Sequence, residues 1–549
     1  MLKICFFLIV ILLSSCNHAK KKGDNQVGNN QLIRTNITVD IKAERHTISP
    51  YIYGINDNDG FDGVTATAIR QGGNRYTAYN WENNFSNAGS DWYHYSDTYL
   101  SSSDIPADMA NRLMEKAASN NIPYRILTLQ MAGFVSADNN RAVSESETAP
   151  SSRWIPVQFV KGGSFSIMPD LNDGIVYMDE YVNHLVQKYG NAASGAGING
   201  YLLDNEPALW SYTHPRVFPQ KLPVTELINR SIELSKAVKA VDASCEIFGP
   251  VLYGFSAYHS LQEAPDWNVI KTNKGYRWFL DAYLDEMRKA ESAGNKRLLD
   301  ALDVHYYSEA KGLCRITDCT NQSHTECHIA RMQAPRTLWE NGYYENSWIA
   351  QWNKSFLPIL PNIKRSIDNY YPDTKLAITE YGFGGDTHIS GAIAQADVLG
   401  IFGREGVYLT ALWHSANNSF PNAAINLYTN YDGKGSAFGS IGVKTEIAVQ
   451  ERGLESNSNN ELSTVYASLN NDESKLTVIV TNKSILNRQE ITIKIENADI
   501  SSNDFTRAVP YMIDCEGAVI KIQDEVLIEN GRFTFIMPVT SVALFVIDL

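Results

Sequence analysis

The chain has 549 residues, beyond the size at which one hydrophobic core usually stops growing, so a large domain plus a smaller one is expected. Hydrophobic residues make up 44% and charged residues 20%, an ordinary globular composition. A net charge of −14 argues against polyanionic partners such as nucleic acid, whereas a neutral polymer is indifferent to it.

In chain order, Met1-Leu2-Lys3 opens a short positive region and Ile4 to Leu13 is an apolar run. That run is too short to span a bilayer and reads as an export signal. Leu13-Ser14-Ser15-Cys16 resembles a bacterial lipobox, which implies cleavage before Cys16 and lipid attachment to its thiol. A plain secretory signal is the competing reading. Residues 17–33 are polar and read as a flexible tether. The expected location is therefore outside the cytoplasm, on a membrane through the lipid alone, facing the cell surface or the periplasm.

Residues 34–49 read as strand and turn that join a later β-domain. From 50 to 445, strand-like runs alternate with amphipathic ones. The strand candidates are 51–55, 66–71, 124–130, 199–204, 244–249, 300–306, 375–380 and 407–413. Helical patterns fall at 105–119, 176–189, 225–240, 276–292 and 391–403. Eight strands with interposed helices predict an α/β fold, a (β/α)8 TIM barrel. An open doubly wound sheet usually carries a Gly-rich phosphate loop, and the run from Arg70 to Arg75 lacks that spacing. From 446 to 549, period-two runs such as Leu476–Thr481, Ile491–Ile495 and Ser541–Ile547 follow without helices between them. They predict a smaller antiparallel β-sandwich.

Two runs carry the chemistry. Tyr201-Leu202-Leu203-Asp204-Asn205-Glu206-Pro207 and Leu376-Ala377-Ile378-Thr379-Glu380-Tyr381-Gly382 each end an apolar strand on a glutamate. On a parallel barrel both would stand at the C-terminal rim, on the fourth and seventh strands. Two carboxylates on one rim are the minimum equipment for cleaving a sugar bond. Asn205, at the end of the same strand, can hydrogen-bond a sugar hydroxyl beside the reacting carbon. A general acid at Glu206 needs a pKa raised by desolvation or by a neighbouring carboxylate. His305, Tyr306 and Tyr307 close the sixth strand, where a His or Tyr can donate to the partner carboxylate. Trp413 closes the eighth and could lie under a sugar ring. Trp348 and Trp352, four apart, fit either a stacking platform or a core stripe.

The runs Gly72–Arg75, Tyr79–Asn84, Ser86–Trp92, Leu203–Trp210, Leu302–Tyr307 and Ile378–Tyr381 together resemble glycoside hydrolase family 44. The resemblance covers essentially the whole mature chain. It implies a retaining endo-β-1,4-glucanase or xyloglucanase of the clan A type, with Glu206 as acid/base and Glu380 as nucleophile. It also implies substrate contacts from Asn205, Trp348, Trp352 and Trp413, with Asn80 and Trp81 lining the glycone side; Tyr381, beside Glu380, is a further candidate contact, as are His305, Tyr306 and Tyr307. No cofactor is required for the chemistry it implies. A structural calcium is a feature of such relatives, and Asp170, Asp173 and Asp179 offer oxygen ligands at close spacing. A solvated acidic helix start explains the same residues. The expected partner is a β-glucan polysaccharide, met by a monomer. Cleavage of mannan or xylan on the same scaffold, or glycan binding without catalysis, are the alternatives.

The chain departs from the family at Cys314, Cys319, His324, Cys327 and His328. With Cys245 and Cys515, five cysteines follow Cys16, an odd number that leaves one thiol unpaired unless a metal takes several. In an exported chain a disulfide from Cys314 to Cys319 or Cys327 is expected, with zinc as the alternative.

Overall fold

The computed structural model describes residues 32–58, 63–320, 322–413, 417–449, 459–498 and 507–549. The export segment with Cys16, and nearly all of the tether, lie outside the described residues.

Eight strands close into a barrel: β1 (Gly54–Asn56), β2 (Ala68–Gln71), β3 (Tyr124–Leu129), β4 (Gly200–Leu203), β5 (Glu246–Leu252), β6 (Ala301–Tyr307), β7 (Lys375–Gly382) and β8 (Leu409–Leu412). Every neighbouring pair is parallel, and β8 returns to β1. Ala68, Ile126, Leu202, Phe248, Ala301, Ala377 and Leu409 point inward and form the buried filling. Each strand lies on one of the eight apolar runs, because strands covered on both faces read as near-continuous hydrophobic sequence. The first run is mostly not strand. Residues Pro50–Tyr53 form a 3-10 turn, with Ser49 Oγ accepting from the Tyr51 amide and Pro50 at the first position, and the strand begins only at Gly54.

The five helical patterns fold as Asp108–Ser119, Met178–Tyr189, Val224–Val241, Phe279–Gly294 and Ile389–Arg404. The helix Ile359–Tyr370 was not anticipated between β6 and β7. Pro358 and Pro361 make its start look like a loop, yet a proline within the first turn removes no helical hydrogen bond. Its buried Ile359, Leu360, Ile363 and Ile367 lie along one face.

The second domain is mostly sheet. Its strands run in the spatial order Gly517–Ile522, Arg507–Asp514, Ser541–Asp548, Lys475–Asn482, Ser463–Leu469, Ile441–Val449, Ile33–Asp40, Gln489–Glu496, Arg532–Met537. Strand Ile441–Val449 straddles the expected boundary at 445 but pairs only within this domain. Ile33–Asp40 pairs antiparallel with Ile441–Val449 and parallel with Gln489–Glu496, so the sheet is not wholly antiparallel. It lies between two strands that run in opposite directions, so it is antiparallel to one and parallel to the other.

Helix Ile389–Arg404 joins the two domains, and residues 389–403 are all buried. Asp397 on this helix accepts from Tyr466 Oη at 2.6 Å and from Lys483 Nζ at 2.7 Å. Both partners come from the second domain, and the Asp397–Lys483 pair is fully buried. Removing one member of such a pair leaves an uncompensated buried charge, which costs about 3–5 kcal/mol.

Candidate active site

The C-terminal ends of β2, β4, β6 and β7 converge on one polar cluster. Irregular backbone delivers it. The β6–β7 register slips between Val304 and His305, so that His305 faces Glu380. The β5–β6 register slips between Pro250 and Leu252, and the Val251 carbonyl accepts the Glu206 amide at 3.0 Å. Such bulges re-aim side chains at barrel rims. Asp204 and Glu206 both stand in the left-handed region, at φ 66° and 46°. A run of apolar strand residues gives no warning of that turn. Asp204 holds it. Its buried carboxylate accepts from Thr77 Oγ1 at 2.6 Å, from the Met131 amide at 2.5 Å and from the Asn205 amide at 2.7 Å. Burial nevertheless raises its pKa to about 6.

Arg70, fully buried at the end of β2, is the hub. Its Nη1 donates to Glu380 Oε1 at 2.6 Å and to Asn56 Oδ1 at 2.8 Å. Its Nη2 donates to Asn205 Oδ1 at 2.8 Å. The Asn205 amide is thereby oriented. Its oxygen takes Arg70 and the Gly73 amide, and its NH2 turns toward Asn74 Oδ1 at 3.2 Å and the cleft.

Glu380 receives a second donor, Tyr307 Oη at 2.8 Å on Oε2. Burial, with the charge of Glu380 behind it, holds the Tyr307 phenol well above its ordinary value, so it stays a donor. Glu206 accepts from His305 Nδ1 at 2.9 Å. Burial lowers the His305 pKa to about 3, so the ring is neutral. With Arg70 donating toward Nε2 at 3.4 Å, the neutral tautomer carries its proton on Nδ1. Glu206 itself is pushed up to about 7 by burial, with Arg70 opposing and Asp91 assisting. One carboxylate oxygen of Glu206, one of Glu380 and a His305 nitrogen lie within 4.8 Å of one another. A guanidinium already supplies the positive charge there.

The cleft floor includes Trp413, 36% exposed, whose ring edge would lie 2.9 Å from a Cβ at Gly73. Gly73 adopts φ 99° at this close approach, a combination that only glycine tolerates. Trp352 is 74% exposed, while Trp348 is half-buried against the Phe255 ring at 5.7 Å.

Four expected substrate contacts lie away from the cleft. Trp81 is fully buried and stacked on Tyr181 at 5.0 Å. Asn80 is buried, donating to the Ser136 carbonyl and accepting the Glu82 amide. Tyr306 packs on Phe383, and Tyr381 is buried with Oη accepting from Gln395 Nε2. Strand alternation explains the last two, since neighbours of inward-facing His305, Tyr307 and Glu380 face outward. Conversely, Arg70, Asn56 and Asp204 carry the site and were not singled out. Arg70 in the run Ala68-Ile69-Arg70-Gln71 was the available signal, a charge inside a strand that closes a barrel.

Asp170, Asp173 and Asp179 do not form one ligand set. Asp170 and Asp173 are exposed and accept the amides of Asn172 and Ile175. Asp179, in the first turn of its helix, turns to the Lys161 amide. The acid that senses Asp173 and Asp170 is buried Glu82, raised to about 8 by burial and by Asp173 and Glu180.

Comparison with known proteins fits this geometry. The family model for Glycoside hydrolase family 44 matches residues 85–310. Endoglucanase A of Paenibacillus lautus is 48% identical over 516 residues, covering 92% of this chain and 71% of that one. The chain spans only 38% of the length of the Beta-mannanase/endoglucanase A of Caldicellulosiruptor saccharolyticus, to which it is 47% identical over 526 residues, 91% of this chain. The solved endoglucanase of Clostridium thermocellum superposes with a TM-score of 0.89 at 51% identity, over 94% of this chain and 100% of that one. A Paenibacillus polymyxa xyloglucanase solved with xyloglucan gives 0.88 at 45% identity, over 94% and 100%.

Proposed function

The chain belongs to glycoside hydrolase family 44, and from that premise we propose that it is a retaining endo-β-1,4-glucanase acting on glucan backbones, xyloglucan among them. The carrying observation is the separation of the two glutamates. One oxygen of each lies within 4.8 Å of the other, which suits the close pair of a retaining enzyme, whose carboxyl groups stand about 5–5.5 Å apart. Glu380 attacks the anomeric carbon while Glu206 gives its proton to the departing glycosidic oxygen. A glycosyl-enzyme ester forms on Glu380. Glu206, now a carboxylate, takes a proton from water as the water attacks the same carbon, and the β configuration returns. The Asn205 NH2, aimed by Arg70, donates to the hydroxyl beside that carbon. The names of the Paenibacillus polymyxa xyloglucanase and the endoglucanases support the substrate class.

We read the second domain as a two-layer sandwich. Ile37, Ile491, Ile493 and Phe533 share one core with Val478, Val480 and Phe545, which suits one sheet folded over on itself. The apolar run ahead of Cys16 supports an exported, lipid-anchored protein.

The test is the product profile on xyloglucan, carboxymethyl-cellulose and mannan, with the anomer followed by NMR. A rapid fall in viscosity on the glucans with β-anomer appearing first is expected. The α-anomer appearing first, or release of single sugars only, would refute the reading, and mannan hydrolysis without glucan hydrolysis would move the substrate class.

A further inference from the structure

We propose that Cys314, Cys319, His324 and Cys327 form a tetrahedral zinc(II) site that locks the loop after β6 against the rim of the barrel. The four ligand atoms all lie within 4.8 Å of one another. The Cys314 and Cys327 sulfurs are 3.6 Å apart, and Cys319 Sγ is 3.5 Å from His324 Nδ1. A tetrahedron with metal–sulfur bonds of about 2.3 Å has edges of roughly 3.8 Å, so these spacings are tetrahedral edges. They also correct the expected disulfide, since all three cysteines are free thiols. A single disulfide would use two sulfurs and leave the third thiol and the imidazole gathered without a purpose. Zinc uses all four.

The structure selects one of the two nearby imidazoles. His328 is already engaged, with Nε2 on the Gln322 carbonyl at 2.9 Å, Nδ1 facing Arg331 Nη1 at 3.0 Å and the ring stacked on His388. His324 stands at the start of helix Thr325–Gln333, whose first turn carries Cys327, with its Nδ1 facing Cys319 Sγ. Gly312 lets the loop close, since a Cβ there would lie 2.5 Å from the Cys327 amide nitrogen.

Charge points the same way. Zinc(II) with three thiolates and a neutral imidazole carries a net charge of −1, and its binding displaces three thiol protons. Arg331 is fully buried beside the cluster, yet its hydrogen bonds go to neutral groups: the carbonyls of Phe383, Ile316 and Cys319, Ser390 Oγ and His328 Nδ1. An anionic metal–thiolate centre is the counter-charge that this guanidinium needs.

The site connects to the cleft. Arg315, between the first two cysteines, donates to the Ser308 carbonyl at 3.1 Å and the Tyr307 carbonyl at 3.4 Å. Arg331 joins the loop to Phe383, three residues after Glu380. The metal would therefore hold the loop that backs Tyr307, the donor to Glu380. Its role is positioning, not chemistry.

The test uses the full chain, purified without chelator and desalted, with metal content measured by inductively coupled plasma mass spectrometry. One zinc per chain is expected. Cys319→Ser and His324→Ala should each lose it, while Cys515→Ser should keep it. Cobalt substitution should give the thiolate charge-transfer and intense visible bands of a tetrahedral sulfur-rich site. Should the variants fold poorly, the wild-type chain still decides: a chelator should expose three fast-reacting thiols and lower Tm. No zinc after desalting, zinc retained equally by His324→Ala and Cys319→Ser, or a mass lighter by two hydrogens from a disulfide would each overturn the proposal.

Discussion

The ends of β4 and β7 carry the same side chain in opposite settings. Glu380 stands at 2.6 Å from a buried guanidinium and 2.8 Å from a phenol. Glu206 stands in a left-handed turn, bonded to a neutral imidazole, with its pKa raised to about 7 by burial. The proposed roles differ because the neighbours differ. One carboxylate is solvated by fixed donors and is ready to attack. The other is desolvated and keeps a proton to give. Two titratable groups in different environments are what the proposed acid and nucleophile require.

The sharpest way to break this comparison is to remove each glutamate in turn. Glu380→Ala should lower kcat on the order of 10⁵-fold, and Glu206→Ala about 10²–10⁴-fold. Azide then separates the roles, using an aryl glycoside with a good leaving group. It should give the β-glycosyl azide with Glu206→Ala and the α-glycosyl azide with Glu380→Ala. The opposite pairing would exchange the assignments.

Arg70→Met comes next. It removes the counter-charge of Glu380 and the anchor of Asn205 together, and should cost roughly 10²–10³ in kcat with little change in KM. A loss confined to KM would show that Arg70 acts on binding instead.

The pH profile probes Glu206 alone. As a general acid it works protonated, so kcat/KM should fall as pH rises through about 7. Glu206→Gln should abolish that limb in the residual activity. A limb that persists unchanged would belong to another group.

The same shift makes a smaller statement about stability. The native Glu206 keeps its proton between the ordinary value of 4.5 and about 7, where the unfolded chain has lost it. Stability from this group is therefore present at low pH and is lost as pH rises through that window. Glu206→Gln removes the burden of a buried charge, so it should stabilise the chain at pH 8 by about 1–3 kcal/mol, seen as a higher Tm, and leave Tm nearly unchanged at pH 4. Equal Tm values at both pH values would contradict the desolvated setting. The smallest effect is at the surface, where Trp352→Ala should raise KM for polymer by a few-fold and leave short aryl glycosides untouched.

Much of this was legible in the sequence. Buried parallel strands must be apolar along their length, so eight runs could be read directly. Glutamates ending the fourth and seventh runs stood out because a charge closes an otherwise apolar segment. Where the sequence misled, the reason was direction or turn chemistry. Tyr306 and Tyr381 neighbour site residues, but alternation turns them outward. Trp81 sits in a run that resembles the family, yet it serves the core against Tyr181. Pro358 and Pro361 disguised a helix start as a loop.

The sequence by itself determined the barrel, the two carboxylates and the companion sheet, because these rest on hydrophobic periodicity and on residue type, which are local. Tertiary structure alone decided the setting of each carboxylate. Arg70 reaches Glu380 across 310 residues and Asn205 across 135, and His305 meets Glu206 across 99. Register slips in β5, β6 and β7 set those meetings. Protonation follows from burial and neighbouring charge, and no run of residues carries that information before the strands close.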